Sequence, residues 1–264
     1  TTFVVNAGVT TAPTYQWQVS THGGLIYSNL SDAGIYTGTS TATLTLTAAT
    51  LANNGSLYRV IVGGTCSPSV TSNGALLTVE QRAIVGTDPV NTTQCETGTA
   101  SFTVVASGAG LTYQWQESTG GAFANIANGG VYSGATTSTL TLTGITSAMN
   151  TYRYQVVVSN GVTSQCVGYS VTSNFATLTV NEKPEITSQP VNRTICEVPG
   201  NTTFVVNAGV TTAPTYQWQV STDGGLSYSN LSDGGIYAGT NLNTLTLTAA
   251  TLANNGSLYR VIVG

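Results

Sequence analysis

Residues 1–63 of this chain recur as residues 202–264, and no other feature constrains the fold as strongly. At the offset of 201, 56 of the 63 pairs are identical. A weaker copy lies between them. Its markers are Tyr113–Gln116 (YQWQ), Gly130–Gly134 (GVYSG), Ser138–Gly144 (STLTLTG) and Tyr154–Val158 (YQVVV). Trp17, Trp115 and Trp218 are 98 and 103 residues apart, so the unit is about 100 residues long. Strand-like runs close the units near Glu80 and Val180. Linkers containing Pro89, Pro184 and Pro190 open the next ones. The map is a module over 1–80 lacking its N-terminal part, a complete module over 81–180, and a module over 181–264 lacking its C-terminal part. The expectation is a window on a longer polypeptide, a tandem array whose short linkers make an elongated, semi-rigid rod on the order of 100 Å.

Within a unit the apolar residues alternate. In the middle copy Phe102, Val104 and Ala106 share a face. So do Leu140 and Leu142, with Thr139, Thr141 and Thr143 opposite, and so do Tyr154, Val156 and Val158. Period two with Thr on the outer face is the pattern of half-buried antiparallel strands. Short strands separated by Gly, Asn and Asp turns predict an all-β sandwich. The one helical expectation is a single turn at Thr143–Asn150 (TGITSAMN).

Composition narrows the function classes. Charged residues are 6% of the chain, against about 25% in an ordinary soluble protein, and the net charge is -4. A nucleic-acid binder needs a basic face, which six Lys and Arg do not supply. With 41% apolar residues, the chain is too hydrophobic for disorder. No run approaches the roughly 18 apolar residues of a membrane helix, so no membrane insertion is expected in this segment. Thr supplies more than one residue in six and favours strands.

The spacing resembles the immunoglobulin sandwich. A Trp (Trp17, Trp115, Trp218) follows the presumed B strand by about a dozen residues. A Tyr (Tyr58, Tyr154, Tyr259) stands two residues before the second core-cysteine position of an antibody domain. Those core positions hold Val5 and Val60, Val104 and Val156, and Val206 and Val261. The antibody-type bridge is therefore absent, and valines pack against the Trp. The four cysteines lie elsewhere. Cys95 and Cys166 are 71 apart. Cys196 is the counterpart of Cys95, and Cys66 plus 201 is 267, again 71 beyond Cys196. The arithmetic favours a Cys95–Cys166 disulfide, with Cys66 and Cys196 paired outside the fragment. The alternative is four free, buried thiols.

Candidate sites are few. His22 is the only histidine, and its counterpart is Asp223. One His that changes between near-identical copies builds no Ser-His-Asp or Cys-His catalyst, so the chain is expected to be no enzyme and to need no cofactor. Calcium is the one metal the pattern allows, at Asp32, Asp223 and Asp233 in Gly-rich turns. Each turn carries a single carboxylate, and the alternative is a hairpin using Asp and Gly for local bonding. Tyr27, Tyr36, Tyr132, Tyr228 and Tyr237 suggest either a sugar-stacking platform or packing repeated in every module. N-x-S/T sequons at Asn29, Asn54, Asn91, Asn192 and Asn201 arise by chance in so Asn- and Thr-rich a chain.

The whole frame, from the Cys-Glu pair through YQWQ, GxYxG and LTLT to the closing LTV, resembles the bacterial Ig-like repeats of giant Bacteroidota cell-surface adhesins, the gliding-motility type included. The resemblance implies export to the exterior of the outer membrane and a role as stalk or adhesive array. Partners would be neighbouring repeats of the same chain and an unidentified surface or glycan ligand. It brings no catalytic residues. The alternatives are accessory modules of a secreted multidomain hydrolase, or a glycan-binding module.

Overall fold

The computed structural model describes residues 1–162, 164–196 and 200–264. By contact the chain divides into two compact units. One is Thr1–Thr87 with Val104–Tyr113 and Val157–Ser173; the other is Asp88–Thr103 with Gln114–Val156 and Asn174–Gly264. Among the described residues the secondary structure is strand throughout, apart from three single 3-10 turns at Leu51–Asn53, Ser147–Met149 and Leu252–Asn254. The middle one is the turn expected from TGITSAMN, and it buries Met149.

In the first unit, Thr2–Val4, Thr43–Leu46 and Tyr36–Thr37 form one antiparallel sheet. Thr14–Ser20 pairs along its length with Leu57–Gly63, setting Trp17 opposite Val60. Ser28–Asn29 flanks the first of these strands, and Val70–Thr71 and Ala75–Leu76 flank the second. The alternation read from sequence places Phe3 and Leu44 on the inner face of one sheet, and Trp17, Tyr58 and Val60 on that of the other. Phe3 stacks on Tyr58 at 4.8 Å and lies 6.4 Å from Trp17, so the two sheets meet face to face. Trp17, Leu44, Leu46, Tyr58, Val60 and Leu77 are the buried core, and Val5 packs against it.

The second unit repeats this plan. Gly200–Val205, Thr244–Ala250 and Tyr237–Ala238 make one sheet; Ser229–Asn230, Tyr216–Ser221 and Leu258–Val263 make the other. Phe204 stacks on Tyr259 at 4.9 Å and lies 6.4 Å from Trp218. In the same unit Thr99–Thr103 pairs with Thr139–Thr143, which pairs with Tyr132–Ser133. Thr92–Cys95 runs parallel to Ala176–Asn181. Trp115, Phe102, Tyr154 and Val156 are fully enclosed. The valines at the former cysteine positions do occupy the core: Val60, Val104, Val156 and Val206 are buried, and Val5 and Val261 are packed against it.

One expected face is carried by two strands. Phe102 and Val104 are buried and Ala106 is half-buried between exposed Val105 and Ser107, but Ala106 belongs to a separate strand, Val105–Ser107, which pairs with Ile84–Thr87 through a register shift at Val105/Ala106. The pairing partner changes at Val104, so the alternation of 101–106 is two short strands.

Every Trp donates its indole N–H to a backbone carbonyl at 2.9 Å: Trp17 to Thr41, Trp115 to Thr137, Trp218 to Leu242. Burying an indole without a partner would cost a few kcal/mol, so the turn that supplies this carbonyl is part of the core. Its first residue is Gly38, Gly134 or Gly239, at φ +77, +75 and +77. A Cβ at Gly134 would sit 2.1 Å from the Thr139 carbonyl oxygen. Gly134→Ala combines a left-handed backbone with that overlap. It is expected to destabilise its module by about 2 kcal/mol or more, read as a lower urea midpoint for one of the unfolding transitions while the others stay in place.

Candidate functional site

The YQWQ motif is explained residue by residue. The Gln before each Trp folds its amide back on the strand. Gln16 donates to the carbonyls of Trp17 and Leu30, Gln114 to those of Trp115 and Ile126, and Gln217 to those of Trp218 and Leu231. The Gln after each Trp joins a cross-strand ladder. Gln18 donates to Asn29 Oδ1 and accepts from Arg59 Nε, both at 2.7 Å; Gln219 does the same with Asn230 and Arg260. In the middle copy Gln155 replaces the Arg and donates to Gln116 at 2.8 Å. The guanidinium carbons of Arg59 and Arg260 lie 3.7 and 3.8 Å from the ring centroids of Tyr27 and Tyr228. Those two rings therefore have one face covered by a cation.

The tyrosines of the GxYxG frames are half-buried and pack on the core tyrosines. Tyr36 and Tyr58 hydroxyls are 3.3 Å apart, and Tyr237 and Tyr259 hydroxyls 3.4 Å apart. In the middle copy Tyr132 instead donates to Glu117 at 2.5 Å, and the enclosed Tyr154 hydroxyl has no partner. Burial pushes the phenols of Tyr58, Tyr154 and Tyr259 well up. The repeated set is thus tied to packing in all three copies.

The calcium candidates fall into two kinds of turn. Asp32 Oδ1 accepts from the Thr39 amide and hydroxyl at 2.8 and 2.6 Å, and Asp233 from those of Thr240 at 2.8 and 2.7 Å. In the middle copy Asn128 takes the same post, accepting from the Ala135 amide at 2.8 Å. Asp and Asn do the same work there, so the post needs an acceptor and not a charge. Asp223 accepts from the Ser221 hydroxyl at 2.7 Å and from the Ser227 amide and hydroxyl at 3.0 and 2.5 Å. Among the described residues no three His, Cys, Asp or Glu side chains gather. In the first copy the counterparts of Asp223 and Ser227 are His22, exposed with Nδ1 3.2 Å from Thr21 Oγ1, and Ile26, also exposed. Two of the seven differences between the near-identical copies are therefore one interacting pair.

The expectation of a Cys95–Cys166 bridge is corrected. All four are free thiols; Cys66, Cys95 and Cys196 are exposed and Cys166 is half-buried. The Cys95–Cys166 bridge is not formed, and the alternative of buried thiols fails too. Cys166 Sγ donates to the Glu80 carbonyl at 3.5 Å, and its amide donates to Ser164 Oγ at 3.0 Å. Four of the sequon asparagines are tied into the fold, one to a side chain and three to backbone amides. Asn29 accepts from Gln18, Asn54 from the Val79 amide, Asn91 from the Thr177 amide and Asn201 from the Ala249 amide.

Sequence reasoning missed the residues that seat the first linker. Asn160 is buried; its amide donates to the Gln81 and Ala109 carbonyls at 3.2 and 2.7 Å, and its Oδ1 accepts from the Ala83 amide at 2.8 Å. Glu80 accepts from the Ser164 hydroxyl and the Gln165 amide at 2.7 and 2.6 Å, which hold its carboxyl below the usual carboxylate range. A polar Asn at the end of an apolar strand was the only available signal.

No family model matches the chain. No curated protein matches it in sequence. Among solved structures it is similar to the I-band fragment I67–I69 of titin, with a TM-score of 0.60 and 14% identity over 96% of this chain and 83% of that one. A second likeness is to the E-to-A variant of the same three Ig domains, with a TM-score of 0.59 and 14% identity over 95% and 83%. At this identity the likeness shows the fold: the chain is a tandem array of immunoglobulin-like β-sandwich modules.

Two outcomes follow for the turns. The Thr39 and Thr240 hydroxyls and amides hold Asp32 and Asp233 below the ordinary carboxylate range, as the Ser227 hydroxyl and amide hold Asp223. A depressed folded-state pKa contributes stability above the unfolded value, about 3.9. That stability disappears as pH falls through the folded value. The urea midpoint is expected to be level from pH 7 to about 5 and to fall below about 4. Asp233→Asn should keep the fold, as Asn128 does, and make the fall shallower. In the first copy, NMR titration of His22→Asp should give a lower carboxyl pKa with Ile26→Ser than without it. Equal values would show that the two positions do not act as a pair.

Proposed function

We propose that the chain is a non-catalytic repeat segment of a large secreted bacterial cell-surface adhesin or filament, serving as stalk or adhesive array in surface attachment or gliding. The observation that carries this is that the same contacts are rebuilt in each copy. Indole to carbonyl, Gln to strand, and Asp or Asn to turn all bond a side chain to its own module. The one feature of catalytic type, His22, is not repeated. A scaffold multiplied along a chain supplies length and repeated surface, and it does so without a reactive centre. The modules of the proposed array are 1–80, 81–180 and 181–264, with neighbouring repeats as the first partners. The place of work is the exterior of the outer membrane; no helix among the described residues is long and apolar enough to cross a membrane. Low charge suits this setting, since contacts among Thr, Asn and Gln depend less on salt than ion pairs do.

Antibodies raised against the chain are expected to label intact cells of the source organism, and protease added outside should remove the label. Labelling only after lysis would sink the surface reading. Binding of a defined oligosaccharide by the isolated chain on a glycan array would move the assignment to a glycan-binding module.

A further inference from the structure

The four thiols fall into two classes by their place in the module. Cys95 ends the strand Thr92–Cys95 and is the register partner of Asn181, the last residue of Ala176–Asn181. Cys196 is its counterpart in the third copy. Cys66 and Cys166 lie instead in the loops that follow Leu57–Gly63 and Arg153–Asn160. Both classes converge on one position, the last residue of a module. The Asn181 carbonyl accepts from the Glu96 amide, the group next to Cys95, at 2.9 Å. One module earlier the residue after Leu-Thr-Val is Glu80, the match of Asn181. The Glu80 carbonyl accepts from Cys166 Sγ at 3.5 Å, and its carboxylate is gripped by Ser164 and Gln165 of the same loop. One class of cysteine reaches this carbonyl from its own module, and the other from the module that follows.

The joint after Asn181 shows the same approach. Thr212 Oγ1 accepts from the Glu182 amide, one residue beyond Asn181, at 2.8 Å. Thr212 matches Thr11, whose carbonyl accepts from the Thr65 amide, next to Cys66, at 3.2 Å. A cysteine placed in the third module as Cys66 is in the first therefore comes beside Asn181, where Cys95 already stands.

We propose that adjacent modules of the array are joined by a disulfide, from the Cys95 and Cys196 class in one module to the Cys66 and Cys166 class in the next. Within residues 1–264 no two adjacent modules hold both members of such a pair, and all four thiols are free. Bond formation removes two electrons and two protons, which a low-molecular-weight disulfide accepts. One thiolate attacks it and releases a small thiol; the second thiolate then displaces the other small thiol and closes the bridge. The bridges would limit extension. Cys166 and Cys196 are 30 residues apart, and each is tied to a module on the far side of the other. Tension then draws out only those 30 residues of each 201-residue period. The inference rests on the reading of the chain as a stretch of a longer array in an oxidising setting; its test needs neither the source cell nor the natural flanks.

Gly264 matches Gly63, so the whole chain followed by a copy of its own residues 64–80 gains a fifth cysteine in the third module. Thr1 matches Thr202, so the whole chain preceded by a copy of its residues 181–201 gains a fifth cysteine in the first module. Each chain is oxidised with glutathione disulfide, its thiols are counted in denaturant, and bridged peptides are identified by mass spectrometry. Two of the five thiols are expected to be lost in each. The added cysteine should be bonded to Cys95 in the first chain and to Cys166 in the second. Cys95→Ser or Cys166→Ser should leave every remaining thiol free in the matching chain. A bond from the added cysteine to Cys196 or Cys66, 71 residues away in its own module, overturns the proposal. Five free thiols in a chain that keeps its melting transition overturn it as well. The two chains test separate joints, so if one misfolds the other decides.

Discussion

A buried indole needs an acceptor, and the rest of each module is arranged around that requirement. Trp17, Trp115 and Trp218 lie between two sheets, where an unpaired N–H would cost a few kcal/mol. The carbonyl that answers it comes from a turn entered through a glycine in the left-handed region. That turn is held in place by Asp32, Asn128 or Asp233 bonding to the residue after the glycine. The Gln before the Trp then ties the Trp carbonyl's strand to its neighbour. Trp, Gly, Asp or Asn, and Gln thus converge on one turn and the strand beside it.

This dependence explains where the two near-identical copies are free to differ. Ser40/Asn241, Thr41/Leu242 and Ala42/Asn243 are three of the seven differences, and all lie in the turn that feeds the indole. The Trp uses the carbonyl of Thr41 in one copy and of Leu242 in the other, at the same 2.9 Å. A backbone acceptor does not read the side chain above it, so the side chain varies while the bond stays. Gly38 and Gly239 do not vary, because the backbone there admits no Cβ.

The same distinction separates what was legible in the sequence from what was not. Period-two alternation, the Trp spacing and the valines at the antibody-type cysteine positions all report burial, and burial is written in residue type. The break at Val104 was not legible. Phe102, Val104 and Ala106 alternate correctly whether or not the pairing partner changes, and only the partner's backbone decides. The cysteines misled for a related reason. Equal separations of 71 report equivalent positions in a repeat. They do not report that two Cβ atoms come within the roughly 3.5–4.5 Å a disulfide needs. The Asp turns were read as polar loops in which one carboxylate makes a poor cation site, and the hydrogen bonds that occupy those carboxylates supply the missing reason. Asn160 was legible only as a polar residue ending an apolar strand, because its three backbone partners come from separate stretches of chain that meet only after folding.

A repeat that copies its residues also copies the bonds that shape its loops. Thr211 is buried under the segment 182–188, whose Glu185 amide it accepts from at 2.9 Å, and Thr10 sits in a loop of the same shape. In both copies that shape is held by bonds inside the loop, from Thr10 or Thr211 to the carbonyl of Ala7 or Ala208 and from the amide of Gly8 or Gly209 to Asn6 or Asn207. A receiving surface built this way can be repeated along a chain without each copy being moulded by its neighbour. That lets the linkers 80–88 and 181–189 diverge in sequence, Gln-Arg-Ala-Ile-Val in one and Glu-Lys-Pro-Glu-Ile in the other, while both engage that surface chiefly through backbone atoms. What the linker must keep is extended geometry and one β-branched side chain at the position of Val85 and Ile186.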